Sequence, residues 1–101
     1  MKVYYHVSGG LLGLDDSITL DTLSMKKDES LSLEDLVAKS NFFSLPSDLT
    51  GPPPKGSADF MTHKIVVEKD YQTHTVRTND KAMPDSLKQL ISFLHSKLEI
   101  V

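Results

Sequence analysis

Histidine side chains are the first candidates for chemistry in this chain, because its four histidines could bind a metal ion. His63 and His74 fall in two β-rich runs that are predicted to form a hairpin. The favoured pairing separates them by roughly 13 Å along the ladder, too far to share a zinc ion whose nitrogen ligands lie about 2.0–2.1 Å away. His6 and His95 are single residues in a predicted strand and a predicted helix. We therefore expect ordinary half-buried or surface histidines, and no metal site.

Acid–base and nucleophilic chemistry have no suitable set of residues either. Asp15 and Asp16 are adjacent, and adjacent strand residues point to opposite faces, so turn chemistry explains the pair better than catalysis. The motif Ser8–Gly10 lacks the glycine that precedes the serine of a nucleophile elbow. The motif Gly9–Gly13 leads into a strand and not into a helix N-terminus that could hold a phosphate. The chain has no cysteine. The pattern predicts a protein that is not an enzyme.

Composition and charge narrow the class of protein further. The 101 residues carry a formal charge of −3, and 39% are hydrophobic and 25% charged, which is typical of a single globular domain. The negative charge argues against nucleic-acid binding, and no stretch approaches the roughly 20 apolar residues of a membrane-spanning helix. The first residues lack the apolar core of a signal peptide. We expect one cytoplasmic domain over residues 1–101, with no cofactor, no nucleic-acid partner and no membrane partner.

Two strands and a helix are predicted in the first half of the chain. Lys2–Ser8 is rich in β-branched and aromatic residues, and Ser17–Asp21 alternates polar and apolar residues, so both are typical of strands. Residues 24–31 show no period and are expected to form a connection. The capping-box pattern Ser32-x-x-Asp35 then predicts a short helix that ends at about Ser40.

A stiff segment, a hairpin and a helix are predicted in the second half. Gly51–Asp59 contains three consecutive prolines, which favour extended polyproline structure. Phe60–Lys69 and Gln72–Asn79 are two β-rich runs that are predicted to form a hairpin. A helix follows Pro84 and continues to Leu98 with a leucine stripe. The order β-β-α-β-β-α predicts an α+β domain, with an antiparallel four-stranded sheet covered by two helices on one side.

The same periods predict the buried side chains. With a two-residue turn in the hairpin, Ile65 faces Val76 and shares a buried face with Val67. The turn residues are poorly suited to a two-residue loop, so a longer loop is an open alternative. Phe42 and Phe43 are expected to fill the core, each contributing roughly 1.5–3 kcal/mol if buried.

Two loops are not explained by the fold alone. Gly9–Asp15 combines three glycines with three leucines, although a glycine-rich loop is normally polar. Gly51–Asp59 is long for a domain of this size, and long loops in small domains are usually functional. The alternative is that the leucines fold back over the sheet edge and the prolines only span a distance.

Five short motifs occur in order along nearly the whole chain: Ser8-Gly9-Gly10-x-x-Gly13, Asn41-Phe42-Phe43-Ser44-Leu45-Pro46, Pro52-Pro53-Pro54-Lys55-Gly56-Ser57-Ala58-Asp59-Phe60, His74-Thr75-Val76-Arg77 and Met83-Pro84-x-x-Leu87-x-x-Leu90-Ile91-x-x-Leu94. In this order they resemble the emfourin family, bacterial protein inhibitors of protealysin-like metallopeptidases of the thermolysin clan. Family members often carry Phe-Ala after the glycine pair. This chain has Leu11-Leu12 there, which keeps an apolar tip but changes its shape.

The resemblance implies a cytoplasmic inhibitor of a thermolysin- or protealysin-like zinc metallopeptidase, in which two neighbouring loops enter the protease cleft. Gly9, Gly10, Leu11 and Leu12 would form one of these loops, with the apolar side chains filling substrate subsites. Buried apolar anchors of this kind supply most of the energy of a protein interface. The inhibitor itself would carry no metal.

The resemblance also implies an aspartate that approaches the zinc ion of the protease. A carboxylate is a good zinc ligand and would displace the activated water that acts as nucleophile. Asp59 stands in the matched Pro/Gly segment and is preferred, with Asp15 or Asp16 beside the leucine loop as the runner-up. The alternative function is a protein-interaction adaptor that uses the apolar glycine-rich loop on a partner other than a protease.

Overall fold

One antiparallel sheet and two helices make up the part of the chain that the structure, a computed structural model, describes: residues 1–10, 13–50 and 60–98. In chain order the elements are β1 (Lys2–Gly9), β2 (Leu14–Asp21), α1 (Lys27–Lys39), a short 3-10 helix (Phe42–Ser44), β3 (Met61–Lys69), β4 (Gln72–Asn79) and α2 (Asp85–Ser96). The strands are ordered β2-β1-β3-β4, and every neighbouring pair is antiparallel. The predicted α+β fold with the order β-β-α-β-β-α is thereby confirmed.

The sheet has a buried face and an open face, because side chains alternate along each strand. On β1, Val3, Tyr5 and Val7 are buried, whereas His6 and Ser8 between and after them are partly exposed and belong to the open face. The helices need to cover only the buried face. The core on that side consists of Val3, Tyr5, Val7, Leu33, Val37, Phe42, Ile65, Val67, Val76, Leu87, Leu90, Ile91, Leu94 and Leu98.

The hairpin of β3 and β4 has the predicted register. Ile65 pairs with Val76, and both are fully buried together with Val67. The turn contains two residues, Asp70 and Tyr71, so the longer loop left open by the sequence is not formed. Both turn residues adopt positive φ angles, 51° and 65°. This is the left-handed conformation that a two-residue hairpin turn requires, and it is taken here without a glycine.

Helix α1 begins six residues before the start that an N-cap at Ser32 predicts, so the capping-box interpretation was wrong. The residue that caps the helix is Lys26, which makes no side-chain cap, and Ser32 lies inside the helix. Residues 27–31, expected to be a connection, form its first turns. The Glu29 carboxylate in this part of the helix accepts a hydrogen bond from the Lys97 ammonium at 2.9 Å, which joins the first turn of α1 to the end of α2.

Strand β2 is longer than predicted and begins at Leu14 instead of Ser17. Asp15 and Asp16 therefore lie in a strand, and the prediction that they serve turn chemistry was wrong. Pairing with β1 accounts for the extension, because Ser8 and Gly9 stay in the ladder opposite Asp15 and Leu14.

The two adjacent phenylalanines separate into one core residue and one surface residue. Phe42 is 1% exposed, whereas Phe43 is 36% exposed, so only Phe42 fills the core as expected. Asn41, at a φ of 54°, turns the chain out of α1 and into the short 3-10 helix that carries the two rings. Helix α2 has the predicted leucine stripe on its buried side.

The edge of the sheet at β4 is partly covered by the segment before the Pro/Gly run. The Arg77 amide donates to the Ser47 carbonyl at 2.9 Å, and the Leu49 amide donates to the Arg77 carbonyl at 2.7 Å. These bonds satisfy backbone groups that an edge strand would otherwise present to other chains. Neither described helix is long and apolar enough to cross a membrane.

Candidate functional site

The residues that flank both unexplained loops lie at one end of the sheet. Strand β1 ends at Gly9, which pairs with Met61 at the start of β3. The next residue continues this contact, because the Gly10 amide donates to the Phe60 carbonyl at 3.3 Å. The base of the glycine-rich loop is therefore bonded directly to the residue that follows the second loop.

The other side of the Pro/Gly segment is anchored at the same end. The Thr50 carbonyl accepts a hydrogen bond from the Asn79 side-chain amide at 3.5 Å, and Asn79 ends β4 opposite Thr62. We call this end of the sheet, marked by Gly9, Gly10, Phe60 and Asn79, the loop end. The topology places the bases of both loops there, although about 50 residues of sequence separate them.

Glycine is required at the base of the first loop. Gly9 has a φ of 103°, and a Cβ atom built on it would lie 3.0 Å from the Phe60 carbonyl oxygen. Such an angle is disfavoured for residues with a side chain, and the contact is too close. Gly10 and Gly13 also have positive φ angles, 77° and 63°. The close approach of the two loop bases therefore depends on the absence of a side chain at position 9.

The residues predicted to bind a protease are only partly described by the structure. Gly9 and Gly10 lie at the loop end, as given above. Leu11, Leu12 and Asp59 lie outside the described residues. Their predicted roles therefore stay predictions.

Asp15 and Asp16 point to different sides of β2 and have different partners. Asp15 lies on the open face, where its Oδ1 is 2.6 Å from Nε2 of His6, and its side chain is 76% exposed. The Asp16 carboxylate accepts the amide of the following residue, Ser17, at 2.8 Å. The two carboxylates are not brought together, as the strand geometry predicts.

A buried polar chain next to the loop end was not predicted from the sequence. The Tyr5 hydroxyl lies 2.7 Å from Nδ1 of His63, and Nε2 of His63 lies 2.7 Å from Oδ1 of Asp80. His63 is only 2% exposed, so it is neither half-buried nor a surface residue as expected. The available signal was the alternation along β3, which places position 63 on the same buried face as Ile65 and Val67. Its partners are distant in sequence and leave no local pattern.

The ionisation state of Tyr5, the first of these three hydrogen-bonded side chains, follows from burial and charge. Burial, together with the negative charge of Asp80, raises the pKa of the Tyr5 hydroxyl well above its ordinary value of 10.0. Tyr5 therefore keeps its proton at neutral pH and can act as a hydrogen-bond donor.

The described residues do not bring together three side chains that could ligate a metal ion. Three of the four histidines have separate partners: His6 contacts Asp15, His63 contacts Asp80, and Nε2 of His74 lies 2.7 Å from the Leu45 carbonyl oxygen. His63 is also bonded to Tyr5, and none of these three rings shares a partner with another.

The fold and the loop end define a small α+β domain in which the residues that flank two loops meet at one end of an antiparallel sheet. A comparison with protein-family models identifies the family more closely. The emfourin model matches residues 5–95, so the chain belongs to the emfourin family, which is known for inhibitors of metallopeptidases. Neither the curated proteins nor the solved structures gave a match.

Proposed function

We propose that this protein inhibits a thermolysin- or protealysin-like zinc metallopeptidase by placing two loops in the catalytic cleft. The family match over residues 5–95 is the observation that carries the inhibitory role. The two-loop mode is supported by the shared location of the loop bases, since Gly10 is hydrogen-bonded to Phe60. A cleft can accept two segments at once only if they leave the inhibitor side by side.

In this proposal the first loop supplies apolar anchors and the second supplies a zinc ligand. Leu11 and Leu12 enter substrate subsites, where burial of a leucine side chain contributes about 1.5–3 kcal/mol. The Asp59 carboxylate displaces the zinc-bound water, so the protease loses its nucleophile. The zinc ion belongs to the protease, and the inhibitor needs no metal or cofactor. The encounter takes place in the cytoplasm.

Asp59 is preferred over the two aspartates of β2. Asp15 already contacts His6 at 2.6 Å and would have to give up that bond to reach a zinc ion. Asp16 points away from Asp15 and accepts the Ser17 amide. Neither stands in the segment between Thr50 and Phe60, whose two flanks are both bonded to the loop end.

The direct test is titration of a purified protealysin-like metallopeptidase with the purified protein. We expect peptidase activity to fall with increasing inhibitor and to be lost near equimolar concentration if binding is tight. A serine protease serves as the control and should keep its activity, because it has no catalytic zinc. Full metallopeptidase activity in the presence of excess protein would contradict the proposal and favour the adaptor alternative.

A further inference from the structure

We infer that the buried chain Tyr5–His63–Asp80 anchors the bases of both loops and thereby sets the affinity of the inhibitor. This inference rests on the proposed function, because affinity is measured against the protease. Tyr5, His63 and Asp80 touch no target in this role. They act as positioning residues, through the backbone at the start of β3.

The direction of each hydrogen bond follows from the donors available. An ionised Asp80 can only accept, so Nε2 of His63 carries the proton and donates to it across 2.7 Å. Nδ1 of a neutral histidine is then an acceptor, and the Tyr5 hydroxyl donates to it across 2.7 Å. These hydrogen bonds lead from Tyr5 in the centre of the sheet to the Asp80 carboxylate at the surface. Both ring nitrogens of the buried His63 therefore have a hydrogen-bond partner.

Asp80 connects the hydrogen-bonded side chains of Tyr5 and His63 to the loops. Its second carboxylate oxygen accepts the Met61 amide at 3.1 Å, and its own amide donates to the Met61 carbonyl at 3.2 Å. Met61 pairs with Gly9 across the ladder, and the preceding residue, Phe60, accepts the Gly10 amide. One carboxylate, held by His63, therefore orients the point where both loops leave the sheet.

The energetic role of this arrangement is preorganisation. A loop that is already held in its binding geometry loses less entropy when it binds, and so gains affinity without a new contact. A buried polar group costs stability unless it is fully hydrogen-bonded, and an apolar residue at position 63 would lie beside the buried Val7 of β1 without this cost. The polar chain is therefore better explained by positioning than by core packing.

The experiment compares Asp80→Asn with the control His74→Gln in the full-length protein. The amide of asparagine keeps the shape of the carboxylate but offers one acceptor oxygen in place of two. His74 also makes a single hydrogen bond, to Leu45, but lies near the start of β4, away from the loop end. Two quantities are measured for each variant: backbone amide exchange in the free protein, and the inhibition constant against a protealysin-like metallopeptidase.

For Asp80→Asn we expect faster amide exchange confined to Gly10 and Met61, and an inhibition constant at least tenfold higher. The amides of Val66 and Val76, in the middle of the hairpin, should exchange as in the parent. His74→Gln should change neither the inhibition constant nor exchange at the loop end. Tyr5→Phe keeps the bond from His63 to Asp80, so its effect should have the same direction and be smaller.

Three outcomes would overturn the inference. The first is an inhibition constant for Asp80→Asn equal to that of the parent. The second is faster exchange throughout the sheet, which would indicate a general loss of stability. The third is an equal loss of inhibition in His74→Gln. A parent protein that inhibits no metallopeptidase would overturn the proposed function and the claim about affinity, and amide exchange at Gly10 and Met61 would still decide whether Asp80 anchors the loops. If Asp80→Asn does not fold, Tyr5→Phe provides the same comparison.

Discussion

Different residues of the glycine-rich loop are proposed to have two roles, a tight backbone turn and an apolar contact with the protease. Gly9 has the first, because its φ of 103° and the nearby Phe60 carbonyl leave no room for a side chain. The leucines beyond it are proposed to have the second. Under this proposal, the loop would contribute to binding and add little to the stability of the fold.

Substitution of Leu11 and Leu12 tests whether these residues contribute to binding and not to stability. Replacing Leu11 and Leu12 with serine should weaken inhibition at least tenfold, since the loss of about 1.4 kcal/mol of binding energy already has that effect. The thermal midpoint should stay nearly unchanged. Inhibition constants and melting curves of the double variant provide the measurement.

Leu23→Ser is the matched control for this variant. Leu23 is 90% exposed and follows β2 at the opposite end of the sheet from the loops. It should change neither inhibition nor stability. Unfolding of the Leu11 and Leu12 double variant would show that these leucines belong to the core, as in the alternative interpretation of the loop.

The zinc-directed carboxylate is a second question at the residue scale. Asp59→Asn should reduce inhibition strongly while the protein stays folded, because an amide is a much poorer ligand for zinc than a carboxylate. Asp15→Asn and Asp16→Asn should have smaller effects. Inhibition constants of the three variants, measured with the same protease, rank the candidates. Equal inhibition by Asp59→Asn and the parent would move the zinc role to the aspartates of β2 or remove it.

At the scale of elements, helix α1 begins earlier than its local start signal indicates. The Ser32-x-x-Asp35 pattern is a valid start signal, yet the helix begins at Lys27. Asp28 and Glu29 lie in its first turn, where negative charge interacts favourably with the helix dipole. The ion pair from Glu29 to Lys97 adds a link to the end of α2.

The change in stability caused by Ser32→Ala distinguishes the observed start of α1 from the start that the capping box predicts. In the middle of a helix, Ser32→Ala should raise stability by about 0.5 kcal/mol, because alanine has the higher helix propensity. At an N-cap the same change would cost about 1 kcal/mol. Ser92→Ala, at an exposed position within α2, is the control and should be stabilising by a similar amount. A lower denaturation midpoint for Ser32→Ala would restore the capping-box interpretation.

At the scale of the whole molecule, the core contains one ionisable hydroxyl whose state depends on folding. The pKa of Tyr5 is raised in the folded protein, mainly by burial and further by the charge of Asp80. Well below pH 10 the hydroxyl is protonated in both the folded and the unfolded chain. As the pH approaches and passes 10, the unfolded chain releases the proton more readily, so the free energy of unfolding decreases as the pH rises.

This linkage predicts a difference between two tyrosine variants in alkaline solution. Between pH 9 and pH 11 the parent should lose stability more steeply than Tyr5→Phe, which has no hydroxyl to ionise. Tyr71→Phe, at a fully exposed turn residue, should follow the parent. Denaturant midpoints at several pH values provide the measurement. Parallel curves for the parent and Tyr5→Phe would show that Tyr5 does not contribute to alkaline unfolding.

Local patterns in the sequence by themselves determined most of the elements. The alternation of β1 and β3, the leucine stripe of α2 and the register of Ile65 with Val76 were all predictable. Each depends on the backbone period, which a few neighbouring residues reveal. The order of the elements then limited the fold to an antiparallel sheet with helices on one side.

The tertiary structure alone decided which distant residues meet. The contact of Glu29 with Lys97, the partners of His63 and the shared loop end all join residues that are distant in sequence. Partners such as Tyr5 and His63 are 58 residues apart, and their meeting depends on strand order, not on any period within the chain. The sequence thus specified the elements and the residues proposed for binding. The packing of the sheet placed the bases of both loops at one end. Topology sets which strands make contact, and such contacts leave no local pattern in the sequence.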